Sequence, residues 1–299
     1  MASKKSKKSK QLWATAGICA AVLVVLTGAM LALNHNKPDE TASMLDTDIP
    51  ELTESETVPE MMESPAFDLK TLTAQAGDTG MTNQVTGLAR SMKEYNADSV
   101  GWISIAGTKV NNPIVKSNDD AYYLDMGYNH EKYRAGTVFL DFRNVMDFDQ
   151  NTWSANLILY GHNMANNEMF GSLRRYRQDL EYYKDNQFIE IDSNYEHATY
   201  VIFALPITYG GADAEWRYWD QLEFPEQADF DDYIQHAREK SLVAIDNVDV
   251  QYGDKLITLS TCYSDEDDSR FLVIGRKLRE GETAETFKNT KPTENSVSE

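Results

Sequence analysis

The chain has 299 residues, a hydrophobic content of 41% and a formal net charge of −20 at pH 7. This length allows one large domain or two small ones, and the apolar content is enough to bury a core. The strong negative charge argues against a nucleic-acid-binding protein, which would carry a basic face.

The N-terminus combines a lysine-rich segment with an apolar one. Residues 1–11 carry the lysines, and residues 12–33 contain no charged side chain. As a helix rising about 1.5 Å per residue, residues 12–33 would reach roughly 33 Å, enough to cross a membrane. Because lysines stay on the cytoplasmic side, the pattern predicts a single-pass anchor in the cell membrane, with the N-terminus inside and the rest outside. The alternative is a cleaved signal peptide, although the apolar run is longer than a usual signal core.

Two polar segments flank the predicted folded domain. Residues 34–81 are rich in acidic residues and interspersed with prolines. Such a segment cannot bury enough apolar surface to offset its ordering entropy, so we expect a flexible stalk. Residues 281–299 are also polar and are predicted to form a disordered tail. The folded domain is therefore expected at residues 82–280.

Short apolar runs dominate the predicted domain. Apolar residues at helical spacing predict a helix that begins near residue 82. About eight strands follow, at residues 100–106, 113–116, 136–142, 156–160, 188–191, 199–207, 256–261 and 271–278. Two helices, at residues 169–183 and 230–242, interrupt the strands. Many short strands with few helices favour a mainly β fold, closed or nearly closed into a barrel.

Cys262 is the only cysteine outside the predicted anchor, which contains Cys19. In an exported domain Cys262 has no partner in its own chain, and an unpaired exported cysteine indicates a reactive thiol or an intermolecular bridge. A cysteine nucleophile needs a proton-transfer partner and a group that stabilises the developing oxyanion. Other residues at strand ends are the candidates for these two roles.

His162 and Arg270 both lie at the ends of predicted strands. His162 follows the strand at 156–160, and Arg270 opens the strand after Cys262. A lone histidine is most often a surface or structural residue. A guanidinium keeps its proton near neutral pH, so Arg270 suits oxyanion stabilisation or substrate binding. The alternative role of Arg270 is a surface ion pair with the acidic run 265–268. That run lacks the ligand spacing of a calcium loop, so no metal site is predicted.

The segments around these residues resemble the sortase family. Residues 258–262 (Thr-Leu-Ser-Thr-Cys), followed by Arg270 at a strand start, are similar to the family signature, and residues 160–163 (Tyr-Gly-His-Asn) are similar to its histidine segment. The resemblance extends over about residues 96–278. Segments that resemble class B members in particular are 100–103, 112–115, 120–124 and 136–139.

This resemblance implies an eight-stranded sortase-type β-barrel with an N-terminal helix and two inserted helices. It also implies a cysteine transpeptidase of a Gram-positive-type cell surface, with Cys262 as nucleophile, His162 as general acid and base, and Arg270 stabilising the oxyanion or the substrate. The implied substrates are secreted proteins with a C-terminal sorting signal, cut after a threonine and passed to an amine of a peptidoglycan precursor. No cofactor is implied.

The same resemblance implies residues that bind the substrate. Leu124 and Ser260 match positions that line the sorting-signal groove of class B members, and Thr261 lies beside them. Residues 207–224 lie where the family has a substrate-covering loop, and this aromatic-rich stretch offers Tyr209 and Tyr218. The stretch diverges from the family pattern, which leaves the preferred sorting motif open.

Three alternatives remain at this point. One is a pilin-polymerising sortase. A papain-like hydrolase would place its cysteine at a helix N-terminus near the start of the mature chain, whereas Cys262 follows a β-rich run near the C-terminus. A membrane-tethered binding module with an incidental cysteine would explain the anchor and stalk, but not the joint occurrence of the cysteine, histidine and arginine segments.

Overall fold

The computed structural model describes residue 89 and residues 92–147, 149–262 and 268–294. The predicted cytoplasmic segment, membrane anchor and stalk (1–11, 12–33 and 34–81) lie outside the described residues and stay predictions. Within the described ranges, no helix combines the length and apolar character that crossing a membrane requires.

The described residues form a closed β-barrel. Their strands are β1 (Ser99–Ser104), β2 (Asn111–Val115), β3 (Phe139–Leu140), β4 (Asn156–Tyr160), β5 (Phe188–Ser193), β6 (His197–Ala204), β7 (Ile207–Tyr209), β8 (Val243–Ala244), β9 (Leu256–Cys262), β10 (Ser269–Lys277) and β11 (Thr293–Glu294). One sheet runs in the order β6-β5-β1-β2-β3-β4-β9-β10-β7, and the additional pairing of β6 with β10 closes its first eight strands into a ring. The predicted mainly β, eight-stranded barrel is thereby confirmed.

The stretches 199–207 and 136–142 differ most from the strands predicted for them. The stretch 199–207 is divided into β6 and β7, which both pair with β10. Pro206 lies at the break and has no N–H to offer a neighbouring strand. The stretch 136–142 retains only β3, because Gly136 has a positive φ of 59° and the N–H of Thr137 donates to the carbonyl of Tyr123 instead.

The helices are α1 (Arg175–Gln178), α2 (Leu180–Asp185), α3 (Gln227–Glu239) and α4 (Ala284–Phe287) in the described part of the chain. The prediction of one helix over 169–183 is wrong. Asp179 has an extended backbone that ends α1, and its side chain accepts a hydrogen bond from the Glu181 N–H at 2.9 Å, which caps α2. Aspartate favours such caps over helix interiors. The second predicted helix is α3, and residues 89 and 92–95 are the described part of the N-terminal helix.

The C-terminal segment is folded through residue 294, so the prediction of a disordered tail is wrong for residues 281–294. Helix α4 buries Phe287, and β11 pairs with β8. The side chain of Glu282 forms an ion pair with Arg276 on β10. The partners of β11 and Phe287, which are β8 and Phe188, lie far away in sequence, so the local polarity of the tail did not reveal them.

Buried apolar side chains of the described residues form two clusters. The larger cluster involves most strands of the barrel and helix α3. The smaller cluster joins the helical residues near Met92 to Trp102 on β1, Phe139 on β3 and Tyr123. Tyr123 belongs to a short 3-10 helix, Tyr122–Leu124, which lies next to the site described below.

Candidate active site

Three strand ends meet at one edge of the barrel. Strands β4 and β9 are parallel neighbours with Tyr160 opposite Ser260, so His162 and Cys262, each two residues further on, lie at the same edge. Strand β10 runs antiparallel to β9, and Arg270 is paired directly with Cys262. Directly paired residues place their side chains on the same face with Cβ atoms about 4.5–5.5 Å apart. Cys262, His162 and Arg270 all line one cleft of about 290 Å³.

Cys262 is the exposed end of an otherwise buried strand. Every residue of β9 before it is buried, which is typical of a strand covered on both faces. The side chain of Asn163 donates to the Cys262 carbonyl at 3.0 Å and so connects the histidine segment to the end of β9. Arg174 braces this segment by donating to the carbonyl of Ala165 at 2.7 Å and to Asn167 Oδ1 at 2.8 Å.

Arg270 reaches the cleft because the neighbouring Gly210 has no side chain. A Cβ on Gly210 would lie 2.7 Å from Arg270 Cγ. The guanidinium donates to the Ser269 carbonyl at 3.2 Å and lies 3.6 Å from Asp268 Oδ1. An exposed ion pair at that separation is weak. The guanidinium therefore remains available to a substrate; the rest of the acidic run, 265–267, lies outside the described residues.

The ring of His162 contacts the wall of the cleft. Its Nε2 lies 2.7 Å from the carbonyl oxygen of Leu124. The Leu124 side chain is 44% exposed and also lines the cleft. The histidine and the predicted substrate-binding leucine are thus direct neighbours, although they belong to different segments of the chain.

Of the other predicted substrate-binding residues, Ser260, Thr261 and Tyr218 line the cleft and Tyr209 does not. Ser260 and Tyr218 are each 2% exposed, and their hydroxyl groups are hydrogen-bonded to each other at 2.8 Å. Tyr209 is 46% exposed. It is next to Thr208, the partner of Arg270 across the strands, and successive side chains of a strand point to opposite faces.

Sequence reasoning missed a buried polar group behind the cleft. The carboxylate of Asp141, which is fully buried, accepts from Arg143 Nε at 2.9 Å and Nη2 at 2.8 Å, and from the Tyr160 hydroxyl at 3.1 Å. Arg143 also donates to the Trp219 carbonyl at 2.5 Å and to Asp220 Oδ1 at 2.9 Å. The only local signal was an aspartate and an arginine two positions apart, and nothing in it pointed to residues 219 and 220.

Burial sets the protonation of several groups around the cleft. It raises the pKa of the Tyr218 and Tyr160 hydroxyls above the ordinary tyrosine value. The protonated Tyr160 hydroxyl donates to Asp141. Burial also raises the pKa of the Asp120 carboxyl, which lines the cleft, and the N–H of Phe142 opposes that shift. The hydrogen bonds that Arg143 donates to Asp141 raise the pKa of the guanidinium.

The arrangement suits acyl transfer through a thiol. It brings a thiol, an imidazole and a guanidinium to one cleft, the groups that such a reaction needs as nucleophile, proton carrier and fixed positive charge. In the part of the chain that the structure describes, no group of three or more His, Cys, Asp or Glu side chains is placed to hold a metal ion. The cysteine lies at a strand end rather than at a helix N-terminus, which disfavours the papain-like alternative.

Comparisons with known proteins agree with this geometry. Residues 103–278 match the sortase domain family. The chain is 36% identical to sortase B of Listeria monocytogenes, over 69% of this chain and 80% of that protein. It is 30% identical to sortase B of Staphylococcus aureus, over 63% of this chain and 74% of that protein. A solved S. aureus sortase B–substrate complex superposes with a TM-score of 0.59 at 27% identity, covering 70% of this chain and 91% of that one. The chain therefore belongs to the sortase family, in class B, and is a cysteine transpeptidase.

Proposed function

We propose that this enzyme cuts the sorting signal of secreted proteins after a threonine and joins the protein to an amine of a cell-wall precursor. The observation that carries the proposal is the single cleft lined by Cys262, His162 and Arg270. S. aureus sortase B has been solved with a substrate, and a sortase B has been solved with triglycine. By analogy, a peptide and then a primary amine would occupy this cleft in turn.

In the first half-reaction, the Cys262 thiolate attacks the carbonyl carbon of the threonine. A carbon–sulfur bond forms, and Arg270 stabilises the negative charge that develops on the carbonyl oxygen. The carbon–nitrogen bond to the next residue then breaks, and His162 gives a proton to the leaving amine. The products are a thioester on Cys262 and the released C-terminal peptide.

In the second half-reaction, the acceptor amine attacks the thioester carbonyl. His162 takes a proton from this amine, and the carbon–sulfur bond breaks as a new amide bond forms. Cys262 leaves as a thiolate, so the enzyme returns to its starting state. No cofactor takes part in either step.

Intact-mass measurement tests this proposal directly. The full chain, incubated with a panel of sorting peptides and no acceptor amine, should gain the mass of an acyl fragment that ends in threonine. Cys262→Ala should fold, because the side chain is exposed, and should gain nothing. Arg270→Ala should lose about 3–4 kcal/mol of transition-state stabilisation, and His162→Ala most of its turnover. An adduct on Cys262→Ala, or a fragment ending at another residue, would contradict the proposal.

We also propose that residues 12–33 anchor the enzyme in the cell membrane and that its catalytic domain faces the cell wall. The lysines before residue 12 and the uncharged run after it support this orientation. Protease added to intact cells should cleave the acidic stretch 34–81 and release the domain. Protection of the chain until the cells are lysed would argue against this location.

A further inference from the structure

The hydrogen bond of His162 defines which ring nitrogen exchanges the catalytic proton. Nε2 lies 2.7 Å from the main-chain oxygen of Leu124. A carbonyl oxygen has no proton to give, so this bond requires a proton on Nε2. In the neutral ring the other nitrogen, Nδ1, is then the one with a free lone pair. In the acid–base role proposed for His162, Nδ1 is therefore the atom that takes and returns the proton.

We propose that the Leu124 carbonyl orients His162 and holds it in the Nε2–H tautomer, an inference that rests on the acid–base role proposed for His162. When Nδ1 takes a proton, the ring becomes positively charged and Nε2–H becomes a charged donor. Hydrogen bonds from charged donors are shorter and stronger than neutral ones, so the carbonyl stabilises the imidazolium. Leu124 is thus a positioning residue that acts through His162.

The backbone that carries this carbonyl is held in place by local bonds. The 3-10 helix Tyr122–Leu124 follows Asp119, whose Oδ1 accepts from the N–H groups of Ala121 at 2.9 Å and Tyr122 at 2.8 Å. The N–H of Leu124 donates to the Ala121 carbonyl at 3.2 Å. Aspartate commonly stabilises turns by accepting from the backbone one to three residues on. The direction of the chain into Leu124 is therefore well defined.

Tyr123 and Gly136 lie next to the Leu124 carbonyl on the side of the core and determine its position. The buried Tyr123 donates its hydroxyl to Asp98 Oδ2 at 2.7 Å, and its own carbonyl accepts from the Thr137 N–H at 3.1 Å. Gly136 has a positive φ of 59°, and a Cβ at this position would lie 2.6 Å from the Leu124 oxygen. A side chain at residue 136 would therefore displace the carbonyl that His162 contacts.

The tautomer of His162 is a direct test. The nitrogen chemical shifts of the full chain, labelled with ¹⁵N-histidine, report which ring nitrogen carries hydrogen, and His162→Gln assigns the signals. We expect the neutral ring to be the Nε2–H form. An Nδ1–H form or an equal mixture would overturn the proposal. Because no substrate is needed, this result does not depend on whether the enzyme cleaves sorting peptides.

Gly136→Ala tests the support behind the carbonyl. General acid–base catalysis contributes about 10²–10⁴-fold, and we expect a misoriented His162 to lose at least about tenfold in kcat, with KM little changed. The Nε2–H signal should weaken in parallel. Gly253→Ala is the matched control, because Gly253 also has a positive φ, of 97°, but an added Cβ would meet nothing within 4 Å. If Gly136→Ala keeps the kcat and the His162 tautomer of the wild type, the proposal is overturned. If this variant does not fold, the tautomer measured on the wild-type protein tests the proposal.

Leu124→Ala distinguishes the role of the Leu124 carbonyl from that of the Leu124 side chain. The variant keeps the main-chain oxygen and removes the exposed side chain that lines the cleft. We expect the Nε2–H tautomer to persist, and activity to fall through a higher KM for the sorting peptide, because the lost side chain lines the cleft. Loss of the tautomer would show that the side chain, and not the carbonyl, positions His162, and would overturn the proposal.

Discussion

Two hydroxyl groups that precede Cys262 on β9 are hydrogen-bonded to tyrosines from other segments of the chain. Ser260 Oγ lies 2.8 Å from the Tyr218 hydroxyl, and Thr258 Oγ1 lies 2.6 Å from the Tyr233 hydroxyl. Thr258, Ser260 and Cys262 alternate along β9, so they share one face. A buried hydroxyl without a partner is costly. These pairs therefore hold the segment around Tyr218, and helix α3, against the strand that carries Cys262.

At the residue scale, we predict that the Tyr218 and Ser260 hydroxyls are energetically coupled. Tyr218→Phe and Ser260→Ala should each lower the free energy of unfolding by about 1 kcal/mol, because each removes one buried hydrogen bond. The double variant should lose less than the sum, since both changes remove the same bond. Urea unfolding of the four proteins measures the coupling. Strictly additive losses would show that the two hydroxyls do not share a bond.

At the element scale, Arg143 connects the barrel to the short 3-10 helix Tyr218–Asp220. This helix contributes Trp219 to the cleft. One side of the Arg143 guanidinium is paired with the fully buried Asp141, and the other reaches Asp220, whose side chain is 39% exposed. Buried and exposed ion pairs differ greatly in the cost of losing one partner. The two ends of this connection should therefore respond differently to substitution.

We predict that Asp220→Ala and Arg143→Ala separate substrate binding from stability. Asp220→Ala should change the free energy of unfolding by less than about 1 kcal/mol but raise KM for the sorting peptide, because the cleft wall loses its link to Arg143. Arg143→Ala should destabilise the fold by about 3–5 kcal/mol, because it leaves the Asp141 charge buried and unpaired. Steady-state kinetics and thermal unfolding distinguish the two. An unchanged KM in Asp220→Ala would show that this link does not shape the cleft.

The hairpin of β5 and β6 contains a histidine between two carboxylates. His197 lies 2.8 Å from Asp192 Oδ1 and 3.0 Å from Glu190 Oε2. The hydrogen bonds to Asp192 and then Glu190 raise the pKa of His197 from 6.5 to about 10. The folded protein thus binds this proton more tightly than the unfolded chain does. The resulting stabilisation is fully present below about pH 6.5 and is lost as the pH rises through about 10.

We predict that His197→Gln flattens the alkaline side of the stability profile. Denaturant unfolding between pH 6.5 and pH 10 should show a steeper loss of stability for the wild type than for the variant. Over this interval the folded wild type keeps the His197 proton and releases it on unfolding, whereas the variant has no such proton to release. The difference between the two proteins should shrink toward the alkaline end. Parallel profiles would mean that His197 is not protonated in the folded state at neutral pH.

At the scale of the whole molecule, the C-terminal segment covers a buried charge. The side chain of Arg276 is 1% exposed and is paired with Glu282, which also accepts from the Arg279 N–H at 2.7 Å. Phe287 packs against Arg276 and Phe188, with ring centroids of the two phenylalanines 6.2 Å apart. Residues 281–294 are therefore part of the folded domain.

We predict that deletion of residues 280–299 destabilises the enzyme. Arg276 would lose its ionic partner, a change that typically costs about 3–5 kcal/mol, and the melting temperature should fall by roughly 10 °C. Deletion of residues 295–299 is the control, because it leaves the contacts of Glu282 and Phe287 intact. Equal melting temperatures for the full chain and the longer deletion would contradict this prediction.

Much of the fold and the main site residues were accessible from local sequence. Short apolar runs predicted the barrel strands, and Cys262 stood out as the only cysteine outside the predicted anchor. The roles predicted for His162 and Arg270 came from the resemblance of their segments to the sortase family. The failures have local causes that pattern reasoning overlooked. Asp179 caps a helix inside an apolar period, and Pro206 interrupts a continuous apolar run.

The sequence by itself determined the mainly β architecture and the presence of a lone thiol outside the predicted anchor, because short apolar runs and residue types are properties of the local chain. Only the tertiary structure decided which distant groups meet. The bond from His162 to the Leu124 carbonyl, the link from Arg143 to Asp220, and the contact of Phe287 with Phe188 all join residues that lie far apart along the chain. Their pairing depends on how the barrel closes and on what its connecting segments bury, and no local pattern encodes that.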